Sequence, residues 1–341
     1  MSDVMILGAG SFGISLAMMC HRCGHKVTVW SHREEQARQL REDREQKALL
    51  PGVKLPEDME FTAVLDKARG KDLVILAVPS FAVRSTCRKL SPYMEKNTIV
   101  SCVAKGLEQD TYKDFATVMA EELPDNPCVI LSGPSHAEEL GRGVPTTIVA
   151  ASRSREAAET VQDILMNPTL RIYVSDDVVG VELGGALKNI IALSAGICDG
   201  LELGDNPKAA LMTRGITEIA RLGVVMGGRQ ETFAGLSGIG DLIVTCTSVH
   251  SRNRRFGILV GQGVPVEEAL RQVGMVVEGY SCTRIAYELA QRLHVEMPIV
   301  TQAYEVLYQG KDPKDALHDL MVRPKRHECE EIWLSGQKEN V

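Results

Sequence analysis

The first thirty residues constrain the fold more than any other stretch. Val4-Met5-Ile6-Leu7 is a short apolar, strand-forming run, and Gly8-Ala9-Gly10-Ser11-Phe12-Gly13 follows it at once. A helical pattern covers 11–23 and closes at Gly24, and 26–30 forms a second strand. Strand, G-x-G-x-x-G, helix and strand in one short unit predict a cradle for a dinucleotide. Gly8 permits the tight turn, Gly10 lets the backbone approach a pyrophosphate, and Gly13 lets helix and strand pack closely. The free N–H groups and the positive dipole end of the helix favour phosphate there. A glycine-rich turn without a ligand is the competing reading, and the strand and helix around it argue against that.

The end of the second strand bears on which cofactor is held. An acid there would bond a ribose 2′-hydroxyl, but the chain reads Trp30-Ser31-His32-Arg33, with Glu34 and Glu35 after it. His32 and Arg33 suit a 2′-phosphate, which tilts the expectation slightly from NAD toward NADP. The alternation then continues. Residues 64–69 read as a helix end and 72–78 as a continuous apolar strand of the kind parallel sheets bury. Further strands are expected at 98–103, 128–131 and 146–151, with an edge strand at 171–174. Ligands of doubly wound sheets lie beyond the carboxyl ends of the strands. This singles out Val78-Pro79-Ser80, Ala104-Lys105-Gly106 and Ser132-Gly133-Pro134-Ser135-His136-Ala137. Lys105 is placed there to meet an anion; an ordinary solvated lysine is the alternative.

Beyond residue 174 helical patterns dominate, so an α/β doubly wound first half gives way to an all-helical second half near 175–190. Residues 178–197 contain only two ionisable side chains, Glu182 and Lys188. The stretch is too long for a strand and apolar on every side, which predicts a buried helix capped by Asp176 or Asp177. Burial penalises the ammonium of Lys188 and lowers its pKa. Glu182, six residues away, is at neither i,i+3 nor i,i+4. A snorkelling or distantly paired lysine is the bland reading. The small residues Gly184, Gly185 and Ala186 favour the sharper one: room beside the helix, with Lys188 lining a pocket as a proton-transfer group. More helices are expected at 207–222, 267–273, 281–293, 301–309 and 313–321. Loops are expected at 224–238 and at Val276-Val277-Glu278-Gly279-Tyr280; a helix cap is the bland reading of Asp241, and orienting Lys188 or bonding a substrate hydroxyl is the sharper one. His250-Ser251-Arg252-Asn253-Arg254-Arg255 is the densest basic patch, and Arg252 between a hydroxyl and an amide suits a phosphate. Arg254 and Arg255 read as solvated.

The composition narrows the class. With 341 residues, 44% hydrophobic and 24% charged, the chain is long enough for two globular cores. A net charge of −7 argues against nucleic acid or a membrane surface as the main partner. No signal peptide or uninterrupted membrane-length apolar run stands out, and the nine scattered cysteines suggest reduced thiols in the cytoplasm. Cys20-His21-Arg22-Cys23 falls at a helix C-terminus, so it reads as structural. No metal-ligand spacing is apparent.

Taken in order, the glycine loop, Val78-Pro79-Ser80, Lys105-Gly106, Ser132-Gly133-Pro134-Ser135-His136-Ala137-Glu138, Gly185-Ala186-Leu187-Lys188-Asn189, Thr213-Arg214-Gly215, Gly240-Asp241-Leu242, Ser251-Arg252-Asn253 and Val277-Glu278-Gly279 resemble the soluble bacterial-type NAD(P)-dependent glycerol-3-phosphate dehydrogenases. The likeness runs from Val4 to about Glu328. It implies a Rossmann-type domain at 1–187, an all-helical substrate and dimerisation domain at 188–328, a tail at 329–341, and a homodimer. The implied reaction is reversible reduction of dihydroxyacetone phosphate to sn-glycerol 3-phosphate for phospholipid synthesis, with Lys188 as proton donor and acceptor. Carried over by position, Ser11, Phe12, His32, Lys105, Ala137, Arg252, Val276 and Glu278 are implied cofactor contacts, beside Gly8, Gly10, Gly13 and Arg33. Lys105, Gly133, Ser135, Lys188, Asp241, Ser251, Arg252 and Asn253 are implied substrate contacts. Members preferring NADP often carry arginine where this chain has His32. Two other readings compete: an enzyme of similar architecture acting on a hydroxy acid, and a non-catalytic nicotinamide sensor.

Overall fold

Eight strands build one sheet in the computed structural model, which describes residues 1–325 and residue 328. In chain order they are β1 Asp3–Leu7, β2 Lys26–Trp30, β3 Glu60–Thr62, β4 Leu73–Leu76, β5 Ile99–Cys102, β6 Cys128–Ser132, β7 Thr146–Ala151 and β8 Leu170–Ser175. Their spatial order is β3-β2-β1-β4-β5-β6-β7-β8. All neighbours are parallel except β6 and β7, so the last two strands run against the rest. The register Val4↔Val27 and Val4↔Leu73 aligns the carboxyl ends of β1, β2 and β4. The loops beginning at Gly8, Ser31 and Ala77 therefore open on one edge. Apolar side chains of β1 and β4 are fully buried on both faces of the sheet, which is why these strands read as unbroken apolar runs.

Six helices accompany the sheet: α1 Ser11–Arg22, α2 Glu34–Asp43, α3 Val83–Leu90, α4 Phe115–Glu122, α5 Ala137–Arg142 and α6 Arg155–Leu165. The rest of the described chain is helical: α7 Val178–Gly200, α8 Asp205–Val225, α9 Gln230–Phe233, α10 Asp241–Thr247, α11 Arg252–Gly261, α12 Val266–Val273, α13 Glu278–Leu293, α14 Pro298–Gln309 and α15 Pro313–Met321. The fold is thus an α/β doubly wound sheet followed by an all-helical part. The segment assigned above as a tail, 329–341, lies outside the described residues.

Four expectations are corrected. The short strand β3 was not anticipated, because three residues carry no periodicity. Residues 65–68 form one tight 3-10 turn, not a helix end. Much of 224–238 is helical: α8 runs on to Val225, α9 follows, and a wide π turn at Leu236–Gly240 leads directly into α10. The loop expected at 276–280 already becomes helix at Glu278, because the Asn253 side chain accepts the N–H of Gly279 at 2.8 Å. That cap comes from another helix, so nothing local announces it.

Helix α7 is the spine of the molecule. Asp177 is its N-cap, accepting from Gly180 N at 2.9 Å. Val178 and Val181 join the apolar cluster under the sheet, whereas Leu183, Leu187, Ile190 and Ile191 join that of the helical part. The 187/188 division of the sequence passes through this helix. It is long and apolar enough to cross a membrane, and 94% of its apolar window is buried inside the protein. Its glycines do not leave open space, contrary to expectation. A Cβ on Gly184 would stand 2.6 Å from the Ser237 carbonyl oxygen, and one on Gly185 2.5 Å from Ser132 Oγ. What approaches the helix there is the π turn and the end of β6.

Candidate active site

Lys188 projects from the middle of α7 and is 5% exposed. Its ammonium donates to Asp241 Oδ1 at 2.6 Å and to Thr245 Oγ1 at 2.5 Å. The expectation that Asp241 caps a helix is corrected here. Gly240 before it is already helical, at φ −61° and ψ −50°, so Asp241 lies within a continuous run and its side chain is free for another role. The other oxygen, Oδ2, accepts from Lys105 Nζ at 2.7 Å. Lys105 also donates to the Gly133 carbonyl at 2.8 Å and lies 3.5 Å from Ser135 Oγ. One buried carboxylate thus joins two lysines from the two halves of the chain. Burial pulls the Lys188 ammonium down, the Lys105 charge adds to this, and Asp241 opposes both, leaving a pKa of about 8. Glu182 plays no part, as its spacing implied. It accepts from the N–H groups of Phe115 and Ala116 at the start of α4.

A chain of amides runs from this centre. Asn189 Nδ2 donates to the Lys105 carbonyl at 3.4 Å, and Asn253 Nδ2 to Asn189 Oδ1 at 2.9 Å. At its far end Glu278, half-buried, accepts from Ser80 Oγ at 2.6 Å and Ser80 N at 3.3 Å. Burial raises the Glu278 carboxyl, and the Ser80 bonds and the Arg252 charge oppose this. Ser251 caps α11 by accepting from Arg254 N at 3.2 Å. Arg252 is exposed at the first turn of that helix. Arg254 is not solvated as expected: it pairs with Asp199 Oδ2 at 2.6 Å and is structural. Arg255 is exposed.

The glycine loop lies between β1 and α1. Gly8, at φ +129°, would place a Cβ 2.3 Å from the Ala77 carbonyl oxygen, and Gly13 would place one 1.9 Å from that of Gly8. Both must lack a side chain. A Cβ on Gly10 would meet nothing within 4 Å, so the space before α1 is open. No side chain caps α1, which leaves its first N–H groups without a side-chain acceptor. This arrangement fits a dinucleotide pyrophosphate. Phe12 is half-buried against the sheet cluster. Ala137 is buried, and its carbonyl accepts from Ser15 Oγ at 2.6 Å. His32 and Arg33 are exposed just past β2, and Val276 is exposed before α13.

The structure therefore brings Lys188, Asp241, Lys105, Gly133 and Ser135 into one hydrogen-bonded centre, with Asn253 and Glu278 linked through neighbouring amides. Thr245 was missed, although its position four residues after Asp241 on a helix places both on one face. Ser80 was recognised as a loop residue, but its partner is 198 positions away. Asn189, next to Lys188, carries no sequence signal for its part in the amide chain.

The sequence matches the family models described as NAD-dependent glycerol-3-phosphate dehydrogenase N-terminus over residues 3–158 and C-terminus over 177–318. It is 56% identical over 329 residues to the glycerol-3-phosphate dehydrogenase (NAD(P)+) of Moorella thermoacetica, covering 96% of this chain and 98% of that one. Identity to the Desulfitobacterium hafniense protein of the same name is 51% over 339 residues, 99% and 96% of the two chains. A crystal structure of glycerol-3-phosphate dehydrogenase from Coxiella burnetii superposes with a TM-score of 0.91 at 37% identity, covering 94% of this chain and 99% of that one.

Proposed function

Because the chain belongs to the NAD-dependent glycerol-3-phosphate dehydrogenase family, we propose that it catalyses reversible hydride transfer between NAD(P)H and dihydroxyacetone phosphate, giving sn-glycerol 3-phosphate. One observation carries the mechanism: a buried lysine with a pKa of about 8 sits on a carboxylate shared with a second lysine.

A reduced nicotinamide, when bound, supplies the hydride. As the ketone oxygen gathers negative charge, Lys188 Nζ gives it a proton. Before that its ammonium polarises the carbonyl in a site screened from water by both halves of the chain. In the reverse direction neutral Lys188 takes the hydroxyl proton. Asp241 and Thr245 hold the lysine, and Asp241 also opposes the fall in its pKa. Lys105, Gly133, Ser135, Asp241, Ser251, Arg252 and Asn253 are the proposed substrate contacts. Ser251, Arg252 and Asn253 at the start of α11 are the proposed phosphate site, since a helix N-terminus and an exposed guanidinium suit an anion. Binding energy from that end positions the carbonyl for reaction.

For the cofactor, Gly8, Gly10, Ser11, Phe12 and Gly13 form the pyrophosphate cradle. His32 and Arg33 lie beyond β2, and Lys105, Ala137, Arg252, Val276 and Glu278 are the remaining contacts. The exposed Arg33 and the absence of an acid at 31–33 support a slight preference for NADP. Residues 1–187 form the cofactor domain, and 188–328 the substrate and dimerisation domain of a cytoplasmic homodimer that supplies phospholipid synthesis. The test is loss of reduced-nicotinamide absorbance with dihydroxyacetone phosphate, using NADH and NADPH in parallel. Turnover with either is expected, with the kcat/KM ratio modestly favouring NADPH. No oxidation by protein shown to bind the cofactor would overturn the proposal.

A further inference from the structure

A cavity of about 240 Å³ opens between α7, α8, α14 and α15. Ile197, Leu211, Ile299 and Leu317 line its walls, and Arg214 and Arg323 are among its lining residues. Nothing in the proposed reaction uses it. Two features bear on its occupant. First, Arg214 donates to the backbone carbonyl of Glu328 at 3.4 Å, so the chain is led to the cavity before the described residues end. Second, the sequence from that point reads Cys329-Glu330-Glu331-Ile332-Trp333-Leu334. Two carboxylates suit Arg214 and Arg323, the latter already paired with Glu296 at 2.6 Å, and three large apolar side chains match the walls. From 328 to 333 an extended chain reaches up to roughly 17 Å, enough to enter a cavity at whose edge it starts.

We propose that the C-terminal segment around Ile332-Trp333-Leu334 docks into this cavity of its own chain, with Glu330 and Glu331 facing Arg214 and Arg323. The apolar contacts fasten α15 and α14 to α7, the helix that carries Lys188.

The chain has two tryptophans, Trp30 and Trp333, so a Trp30→Phe variant of the full chain reports on Trp333 alone. Its emission should be blue-shifted, and acrylamide should quench it several-fold less than a synthetic peptide of residues 328–336. Adding Leu320→Glu on the cavity wall should restore peptide-like quenching. Should that variant fail to fold, a chain ending at Glu328 should bind the fluorescein-labelled peptide, read by anisotropy. Peptide-like quenching of Trp333 in the Trp30→Phe protein, or no binding of the peptide to the shortened chain, would overturn the proposal. Shielding lost on dilution, in step with dissociation of subunits by sedimentation, would also overturn it by assigning the cavity to a second copy.

Discussion

Lys188 is the proposed proton donor, and its position makes quantitative demands. Replacing Lys188 by Ala should lower kcat by several orders of magnitude while cofactor affinity, read by fluorescence titration, stays near normal. Unchanged turnover would remove the lysine from the mechanism. Its pKa of about 8, below the ordinary 10.5, fixes a sign for the pH profile. Ketone reduction needs the protonated lysine, so kcat/KM should fall as pH rises through about 8, and alcohol oxidation should rise through the same region. Asp241 raises this pKa, so Asp241→Asn should move both limbs to lower pH. Arg252 is exposed at the start of α11. Arg252→Ala should raise the substrate KM strongly, and a change confined to the cofactor KM would refute the phosphate assignment.

Helices in the second half are held by contacts that local sequence does not announce. A Cβ at Gly184 would strike the Ser237 carbonyl at 2.6 Å, and backbone cannot move aside as a side chain can. Gly184→Ala should therefore destabilise the protein by about 1–3 kcal/mol, measured by denaturant unfolding. Glu218 on α8 accepts from the N–H groups of Ile299 and Val300 at the start of α14, and burial raises its pKa to about 7. Between its ordinary value near 4.5 and about 7 the folded state holds the proton more tightly than the unfolded chain, so stability falls as pH rises through that window. In Glu218→Gln this decline should be absent, a difference on the order of 3 kcal/mol at most between pH 4.5 and 7.5. The same non-local contacts explain what was legible. β1, α1 and β2 follow from period and turn residues, and Asp177 was recognisable as a cap. The start of α13 was hidden because its cap, Asn253, belongs to α11. Only the capping reading of Asp241 failed, because the π turn before it has no sequence period.

Across the whole molecule, polar links between the two halves include Lys105 with Asp241 and Ser80 with Glu278. Residue types at both were visible in the sequence; their pairing, across more than a hundred positions, was not. Ser80→Ala would leave the half-buried Glu278 carboxyl short of a donor. It should lower stability by roughly 1–2 kcal/mol and raise the cofactor KM more than the substrate KM, checked by initial rates with each varied. Helix α7 begins in the core of the sheet and ends in that of the helices. For anyone recombining this gene with a relative's, the natural-looking junction after Ser175 is therefore the wrong place to cut. The proposed proton donor is heritable only together with the sheet-facing turns before it, so the packing of both cores should travel through α7 as one block.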